Sequence, residues 1–406
     1  MFLHPRNNKS FDKFHFSAGP FEFFIPASTE LTLLPQTRIH GVCKIIKKDG
    51  SELPPESDFS IVNLFPHSIF NQIDLEIDGV NLACQDNLYP YKAYLETLLT
   101  FGFDSKKSHL TTAHYVKDTA HNFDSLDEHN RGYALRQKDV KGGKLFDFCI
   151  SPHIDFFHTP KVLPPGVQMK IKLTRSNDSF SILSQNDNDL CVKIESLTLF
   201  VYRMQASEHL RAQQEKSFLK NNALFPITKS FCKKYTIPAG LSSANTPNIV
   251  HGNIPRQIVM GFVRADALNG SYDLNPFNFQ HFDCTFLALR INGIQIPGKG
   301  YRPDFKNKLV RRELRALYDN IGVNTPGDDV GCGIDVDDYI GGSTLFAFDL
   351  TSDMCNGYHL HETMHGSIDC EVLFGKPLPY AITAVYYMAF ETTVSITKER
   401  SILVDS

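Results

Sequence analysis

The string His361-Glu362-Thr363-Met364-His365 is the part of this chain that most resembles a catalytic motif. It matches His-Glu-x-x-His, in which two histidines one helical turn apart bind zinc and the glutamate acts as a base on bound water. That chemistry requires a helix. Here Asn356-Gly357 precedes the string, Gly366 follows it, and a strand is predicted from Ile368. A third ligand at a known spacing is missing, and Glu391 lies far enough downstream but in strand-like sequence.

We therefore expect a polar loop with three histidines, His359, His361 and His365, which binds metal adventitiously rather than catalytically. Two functions stay open as alternatives. One is a zinc-dependent hydrolase that uses His361, Glu362 and His365. The other is a carbohydrate-binding β-sandwich module, since jelly rolls occur in lectins, although Trp, which often stacks on sugars, is absent from the chain.

Three further patterns resemble binding motifs. Residues 293–300 nearly fit a phosphate-binding loop, but Gly300 replaces the hydroxyl residue, Pro297 lacks a donor, and a hairpin strand is expected there. The pairs Lys106-Lys107 and Arg311-Arg312 are too short for a nucleic-acid site and predict solvated faces or subunit contacts. An acidic cluster misses the calcium-loop spacing, because Tyr339 replaces a ligand. The cluster comprises Asp328, Asp329, Asp335, Asp337 and Asp338.

Composition narrows the class of protein. The chain has 406 residues and a formal net charge of −4, which is not the basic footprint of an unaided nucleic-acid binder. Nine scattered cysteines without a Cys-x-x-Cys pair suit reduced thiols. The N-terminus shows no apolar signal-peptide region, and no run approaches the about 18 apolar residues of a membrane span. We expect no cofactor and no membrane span.

Two hairpin signals stand about 200 residues apart. Residues 73–82 alternate apolar and polar side chains around Asp78-Gly79, and residues 287–296 do so around Asn292-Gly293. Such alternation around Asp-Gly or Asn-Gly is the strongest short-range hairpin signal. More matches follow in the same order. Residues 145–151 match 345–351, and the strands after Gly166 and Gly366 also match.

Helices are predicted at matching places. Residues 90–101 have Pro90 in the first turn, an apolar face that includes Tyr94 and Leu98, and Gly102 as the C-terminal cap. Residues 308–321 form the second helix, with an apolar face of Leu309, Val310, Leu314, Leu317, Tyr318 and Ile321. Polar residues 206–222, with Ser207 as the N-cap, predict a connecting helix.

These features predict an all-β protein with a few short helices. The first domain spans residues 1–205 and includes a long irregular loop at 103–142. The helix 206–222 connects it to a second domain at 223–406, which includes a Gly/Asp-rich loop at 322–343. Many strands without regular βαβ alternation favour antiparallel sandwiches or jelly rolls.

The chain also resembles the major capsid proteins of Polinton/Maverick elements and adintoviruses along nearly its whole length. The resemblance rests on residues 70–79, 89–99, 106–111, 115–124, 269–272, 275–279, 344–351 and 400–405. It implies a double jelly roll, two tandem eight-stranded antiparallel β-sandwiches of the adenovirus-hexon lineage. The leader before Phe21 is shorter than is usual in that family.

The resemblance further implies a structural protein with no catalytic residues. Three chains would form a pseudo-hexagonal trimer, and such trimers would pave an icosahedral shell around double-stranded DNA. The implied partners are other copies of the chain, penton proteins and minor capsid proteins, with DNA contacted only indirectly. The implied location is the virion, assembled in the host nucleus or cytoplasm. The insertions at 103–142 and 322–343 would form towers or intersubunit clasps.

Overall fold

Antiparallel strands dominate the structure, a computed structural model that describes residues 2–3, 20–83, 86–185, 189–218, 220–323, 331–351 and 361–405. The strand Met169–Arg175 shows why these residues form sheets. Its apolar residues Met169, Ile171 and Leu173 are buried, and the two lysines between them are half-buried on the other face. Full burial of one such apolar side chain contributes about 1.5–3 kcal/mol. The alternation therefore fixes which face of the strand lies inward.

Ten of the described strands come from the first half of the chain. They are β1 (Phe2–Leu3), β2 (Phe21–Ile25), β3 (Leu31–Lys47), β4 (Ser60–Ile61), β5 (Phe70–Ile77), β6 (Val80–Asn81), β7 (Phe146–Ile150), β8 (Met169–Arg175), β9 (Ile182–Leu183) and β10 (Leu190–Met204). Eight of them form two four-stranded antiparallel sheets, in the orders β1-β10-β3-β7 and β2-β8-β5-β6. The short strands β4 and β9 pair with each other.

Nine of the described strands come from the second half. They are β11 (Ala223–Ile237), β12 (Ser243–Asn253), β13 (Gln257–Arg264), β14 (Cys284–Ile291), β15 (Ile294–Tyr301), β16 (Leu345–Asp349), β17 (His365–Phe374), β18 (Ile382–Ile396) and β19 (Ile402–Asp405). The sheet orders are β11-β18-β13-β16 and β12-β17-β14-β15, and β19 pairs with the end of β18.

The two halves have the same topology. When the eight sheet strands of each half are numbered along the chain, both halves have the orders 1-8-3-6 and 2-7-4-5. Eight antiparallel strands arranged in two such sheets form a jelly roll. The predicted double jelly roll is therefore confirmed, and we call the two units the first roll and the second roll.

The matched segments of the sequence occupy equivalent strands. The two hairpins are β5–β6 and β14–β15, and each turns through two residues with positive φ, at Asp78-Gly79 and Asn292-Gly293. Positive φ at both central residues is the backbone of a type I′ turn, which Asp-Gly and Asn-Gly favour. The other matched pairs are β7 with β16 and β8 with β17. Strand β12 was not predicted, because Pro247 and several Asn residues interrupt its pattern.

Nine α-helices lie within the described residues. They are α1 (Phe65–Ser68), α2 (Tyr89–Thr100), α3 (Phe103–Lys107), α4 (Arg131–Val140), α5 (Asp178–Ser181), α6 (Glu208–Phe218), α7 (Ala265–Asn269), α8 (Arg311–Asn320) and α9 (Val336–Ile340). Short 3-10 helices span His109–Ala113, Lys141–Gly143 and Asp155–His158. None of the described helices is long and apolar enough to cross a membrane.

The three predicted helices exist with shifted ends. The predicted helix 90–101 is α2, but Gly102 is not its C-terminal cap, since Phe101 ends the helix and Gly102 precedes α3. The predicted helix 308–321 is α8, which begins only at Arg311. Leu309 is exposed rather than on the buried face, because it pairs with Asp304 in a turn. The connecting helix 206–222 is α6, and the Ser207 hydroxyl caps it as predicted.

The prediction of an irregular loop at 103–142 was wrong in one respect, since this segment contains α3 and α4. Asn130 starts α4 by accepting hydrogen bonds from the N–H groups of Gly132 and Tyr133, and Tyr133 and Val140 bury one face. The predicted loop at 322–343 contains α9, and its residues 324–330 lie outside the described part. The division of the chain at residues 1–205, 206–222 and 223–406 stays a prediction.

Candidate functional site at the junction of the two rolls

Helix α2 lies between the two rolls and contacts both. It packs against β5 of the first roll and against β11 and β18 of the second. Residues 89–98 are all buried, including Lys92 and Glu96. A helix that is buried all round is a core element rather than a surface one, so α2 joins the two rolls into one body.

One side of α2 contacts the second roll through aromatic rings. Tyr94 stacks on Phe277 with ring centroids 4.2 Å apart and planes 1° from parallel. The hydroxyl of Tyr91 donates to the carbonyl of Pro276 at 2.9 Å. The Tyr91 ring also meets the edges of Phe180 and Phe277. Aromatic pairs contribute about 0.5–1.5 kcal/mol beyond the area they bury.

Two carboxylates of the first half bind the outer edge of β11. Asp155 accepts a hydrogen bond from the backbone N–H of Ser230 at 3.0 Å. Asp86 accepts one from the backbone N–H of Cys232 at 2.8 Å. Burial raises the pKa of Asp86, and the backbone donors oppose that rise. An open strand edge offers unpaired donors to other chains, so these carboxylates satisfy the edge within the molecule.

Two lysines of the first half bind carbonyl groups on the same edge. Lys92 donates to the carbonyl of Ser230 at 3.0 Å and forms an ion pair with Asp155 at 2.7 Å. Lys161 donates to the carbonyl of Leu224 at 2.6 Å. The first roll thus contributes charged side chains, and the second roll contributes the main chain of its edge strand.

Glu96 is the centre of the charged side of α2. It accepts from His153 Nδ1 at 2.6 Å, from the hydroxyl of Ser230 at 2.7 Å and from that of Tyr387 at 3.2 Å. Burial opposes ionisation of Glu96, but Lys92 and the hydrogen bond from His153 outweigh it and lower its pKa. The carboxylate therefore stays charged and holds residues of both rolls.

The two insertions contact each other within the chain. Lys106 in α3 is buried and donates to the carbonyls of Leu98 at 2.6 Å and Cys332 at 2.5 Å. Burial lowers the pKa of Lys106 to about 8. Lys117 donates to Asp338 at the start of α9 and to the carbonyl of Gly333. This contact is a clasp between the rolls of one chain.

A buried ion pair stabilises the same contact. Arg136 donates to Asp118 at 2.7 Å, and both side chains are 0% exposed. Arg136 also donates from Nε to the carbonyl of Ile61 and from Nη1 to that of Val116, so each nitrogen of its guanidinium makes a hydrogen bond. The second roll joins through Asn275, whose amide donates to Asp118 at 3.1 Å.

The zinc-like string is not on a helix. His365 begins β17, and residues 361–364 have no regular structure. The structure brings together His361 and Glu391, with Nδ1 3.0 Å from Oε1, and Arg256 also contacts that carboxylate at 3.3 Å. Glu362 and His365 are exposed, and His359 lies outside the described residues. Within the described residues no group of three or more His, Cys, Asp or Glu side chains could hold a metal ion.

The other motif-like segments have structural roles. Residues 294–301 form β15, the return strand of a hairpin, as the sequence predicts. Asp335 caps α9 in a capping box with Asp338. Asp337 lies 3.4 Å from His121 Nε2 and 3.8 Å from Lys308 Nζ. Asp328 and Asp329 are outside the described residues.

Sequence reasoning missed the charged junction. Lys92 and Glu96 are four residues apart on a helix, the spacing of an ordinary solvated ion pair. Their burial depends on β11 and β18, which lie more than a hundred residues downstream. The polarity of α6, in contrast, agrees with the sequence, since none of its residues is buried, and its role as a connector stays a prediction.

Comparisons with known proteins support the fold. No family model matches the chain. An uncharacterized protein of Caenorhabditis elegans is 24% identical over 402 residues, which cover 96% of this chain and 94% of that protein.

Three solved structures are similar. A chain of the Sputnik virophage has a TM-score of 0.61 and 12% identity over 97% of this chain and 86% of its own. The mavirus major capsid protein has a TM-score of 0.55 and 9% identity over 100% and 89%. A chain of the PBCV-1 virus capsid has a TM-score of 0.55 and 12% identity over 97% and 98%. At such identities the likeness concerns the fold, and it places this chain among double jelly-roll proteins.

Proposed function

We propose that this chain is a major capsid protein, a structural and non-enzymatic protein that assembles with copies of itself. The observation that carries the proposal is the repeated strand order 1-8-3-6 and 2-7-4-5 in one chain. The similar structures that come from virus particles and the mavirus major capsid protein support it.

The doubled roll gives a physical reason for a trimer. Two similar rolls in each of three chains make six similar units around a closed three-fold axis. Such a trimer has a nearly hexagonal outline, and hexagonal units pave the faces of an icosahedral shell around double-stranded DNA. The buried junction supports this role, because rolls that are fixed relative to each other give the trimer one shape.

The intrachain junction suggests where chains meet. In a ring of six rolls, contacts within chains alternate with contacts between chains. Helix α8 follows the hairpin of the second roll as α2 follows that of the first. We expect the exposed face of α8, which carries Arg311 and Arg315, to face the first roll of the next chain.

Lineage, partners and location complete the proposal. The full-length likeness to a protein of an animal, Caenorhabditis elegans, supports the Polinton/Maverick and adintovirus lineage, whose resemblance is spread over the whole sequence. The partners are then neighbouring trimers, penton proteins and minor capsid proteins, with DNA contacted indirectly. The protein resides in the virion after assembly in the host cell.

The mass of the purified chain in solution tests the proposal. Size-exclusion chromatography with light scattering should give three times the mass of one chain, and dilution from about 10 μM to 0.1 μM should not change it. Obligate interfaces of about 2,000–5,000 Å² resist such dilution. Negative-stain images should show hexagonal particles. A monomer across this range would contradict the proposal.

A further inference from the structure

A buried histidine lies behind the junction. His67 in α1 is 3% exposed, and its Nδ1 lies 2.8 Å from the hydroxyl oxygen of Tyr89 at the start of α2. The same oxygen accepts a hydrogen bond from the backbone N–H of His153 at 3.2 Å. The rings of His67 and His153 have centroids 4.9 Å apart.

Burial and the contact with Tyr89 favour a neutral His67. The Tyr89 oxygen accepts from the backbone N–H of His153, and the Tyr89 hydroxyl has one proton to donate. A neutral His67 with its proton on Nε2 accepts that proton at Nδ1. Protonated His67 would present an N–H to Tyr89, and the Tyr89 proton would lose its acceptor among the described residues. A buried donor without an acceptor costs about 1–3 kcal/mol.

The chain of contacts continues into the second roll. His153 donates to Glu96, and Glu96 accepts from Ser230 and Tyr387 of β11 and β18. The charge and proton state of His67 therefore influence α2 at the point where the second roll is held. We propose that the junction is acid-sensitive, with His67 as the group whose protonation loosens α2 and the second roll from each other.

The titratable groups around His67 are consistent with a junction that loosens as the pH falls. Burial and the nearby His153 lower the pKa of His67, and Glu96 raises it by less. When folding depresses the pKa of a histidine, the folded state loses stability as the pH falls below the pKa of that histidine in the unfolded chain, about 6.5. The depressed pKa of Glu96 keeps that carboxylate ionised across this range. The His158 ring has its centroid 6.1 Å from that of His153, and burial lowers the pKa of His158 as well.

Hydrogen–deuterium exchange of the full chain tests the proposal without requiring any assembly. After correction for intrinsic exchange, opening of peptides from α2 and β11 should increase up to about tenfold between pH 6.5 and 5.5, since one proton is taken up. His67→Asn keeps an acceptor for Tyr89 but cannot be protonated, so its opening should not change. The matched control His251→Asn removes an exposed histidine and should behave like the unmodified chain.

Two results would overturn the proposal. One is an equal acid response in the unmodified chain and His67→Asn. The other can be read from the unmodified chain alone, should the variant not fold. It is an acid response that is no larger in α2 and β11 than in β13 and β16, which lie away from His67. Neither result bears on whether the chain forms trimers.

Discussion

Helices α2 and α8 occupy the same place in the two rolls, yet their surroundings differ. Each follows the hairpin between the fourth and fifth sheet strands of its roll. Residues 89–98 of α2 are all buried, because both rolls pack on them. Helix α8 packs on β16 of its own roll. Its buried residues are Glu313, Leu314, Leu317 and Asn320, and its arginines are exposed.

The difference shows that duplication copied the position of the helix but not its use. In the first roll the charged residues of the helix face inward and bind the second roll. In the second roll the arginines of the helix face outward, and Glu313 is its buried charged residue. The first helix therefore contributes to the stability of one chain, and the second presents a basic surface that the chain itself does not cover.

The comparison predicts its largest effect at Lys92. Lys92→Ala should lower the free energy of unfolding by about 3–5 kcal/mol, because it leaves the Asp155 carboxylate, whose side chain is only 12% exposed, without its cation. Arg315→Ala is the matched change on α8 and should cost about 0–1 kcal/mol, since its ion pair with Asp319 is exposed. Urea denaturation measures both. Similar costs for the two variants would mean that the helices are equivalent after all.

A smaller effect tests whether the two rolls are equally well packed in their sheets. Gly41 in β3 and Gly261 in β13 both lie on the third strand of a roll. A Cβ at Gly41 would lie 2.4 Å from the ring of Phe148, and one at Gly261 would lie 2.6 Å from that of Phe279. Each Gly→Ala change should destabilise by about 1–3 kcal/mol.

The control for both glycines is Gly298→Ala, where nothing lies within 4 Å of the added methyl group. It should change stability by less than about 0.5 kcal/mol. The three melting curves can be compared directly. A large cost at only one of Gly41 and Gly261 would show that the rolls differ in their cores as well as at their helices.

Many of the strands can be predicted from the sequence because the residues that define them are neighbours along the chain. Asp78-Gly79 and Asn292-Gly293 determine their turns through backbone preference alone, and alternation defines the strands on either side. The repeat and the family resemblance predict two tandem jelly rolls, whereas the order of the strands within each sheet comes from the structure. The junction could not be predicted, because the environment of Lys92 and Glu96 is created by β11 and β18. The prediction that Leu309 lies on the apolar face of α8 was wrong for a related reason, since a turn at Lys308 with positive φ removes Leu309 from that face.

The last prediction concerns the exposed face of α8 and should affect folding least. Arg311→Glu with Arg315→Glu should change the stability of the chain by about 1 kcal/mol or less, because both side chains and the Arg315–Asp319 ion pair are exposed. It should nevertheless reduce the mass in solution from three chains to one, because a subunit contact that buries new, unpaired carboxylates opposes association. Light scattering measures the mass, and circular dichroism checks the fold.

The control reverses two charges on the other exposed helix, with Arg211→Glu and Lys216→Glu on α6. If α8 is the contact, this variant keeps the mass of three chains. If the control dissociates and the α8 variant does not, the connector between the rolls carries the contact instead. In that case α8 would not do between chains what α2 does within a chain. The contact between the two rolls of one chain would then not indicate where neighbouring chains meet.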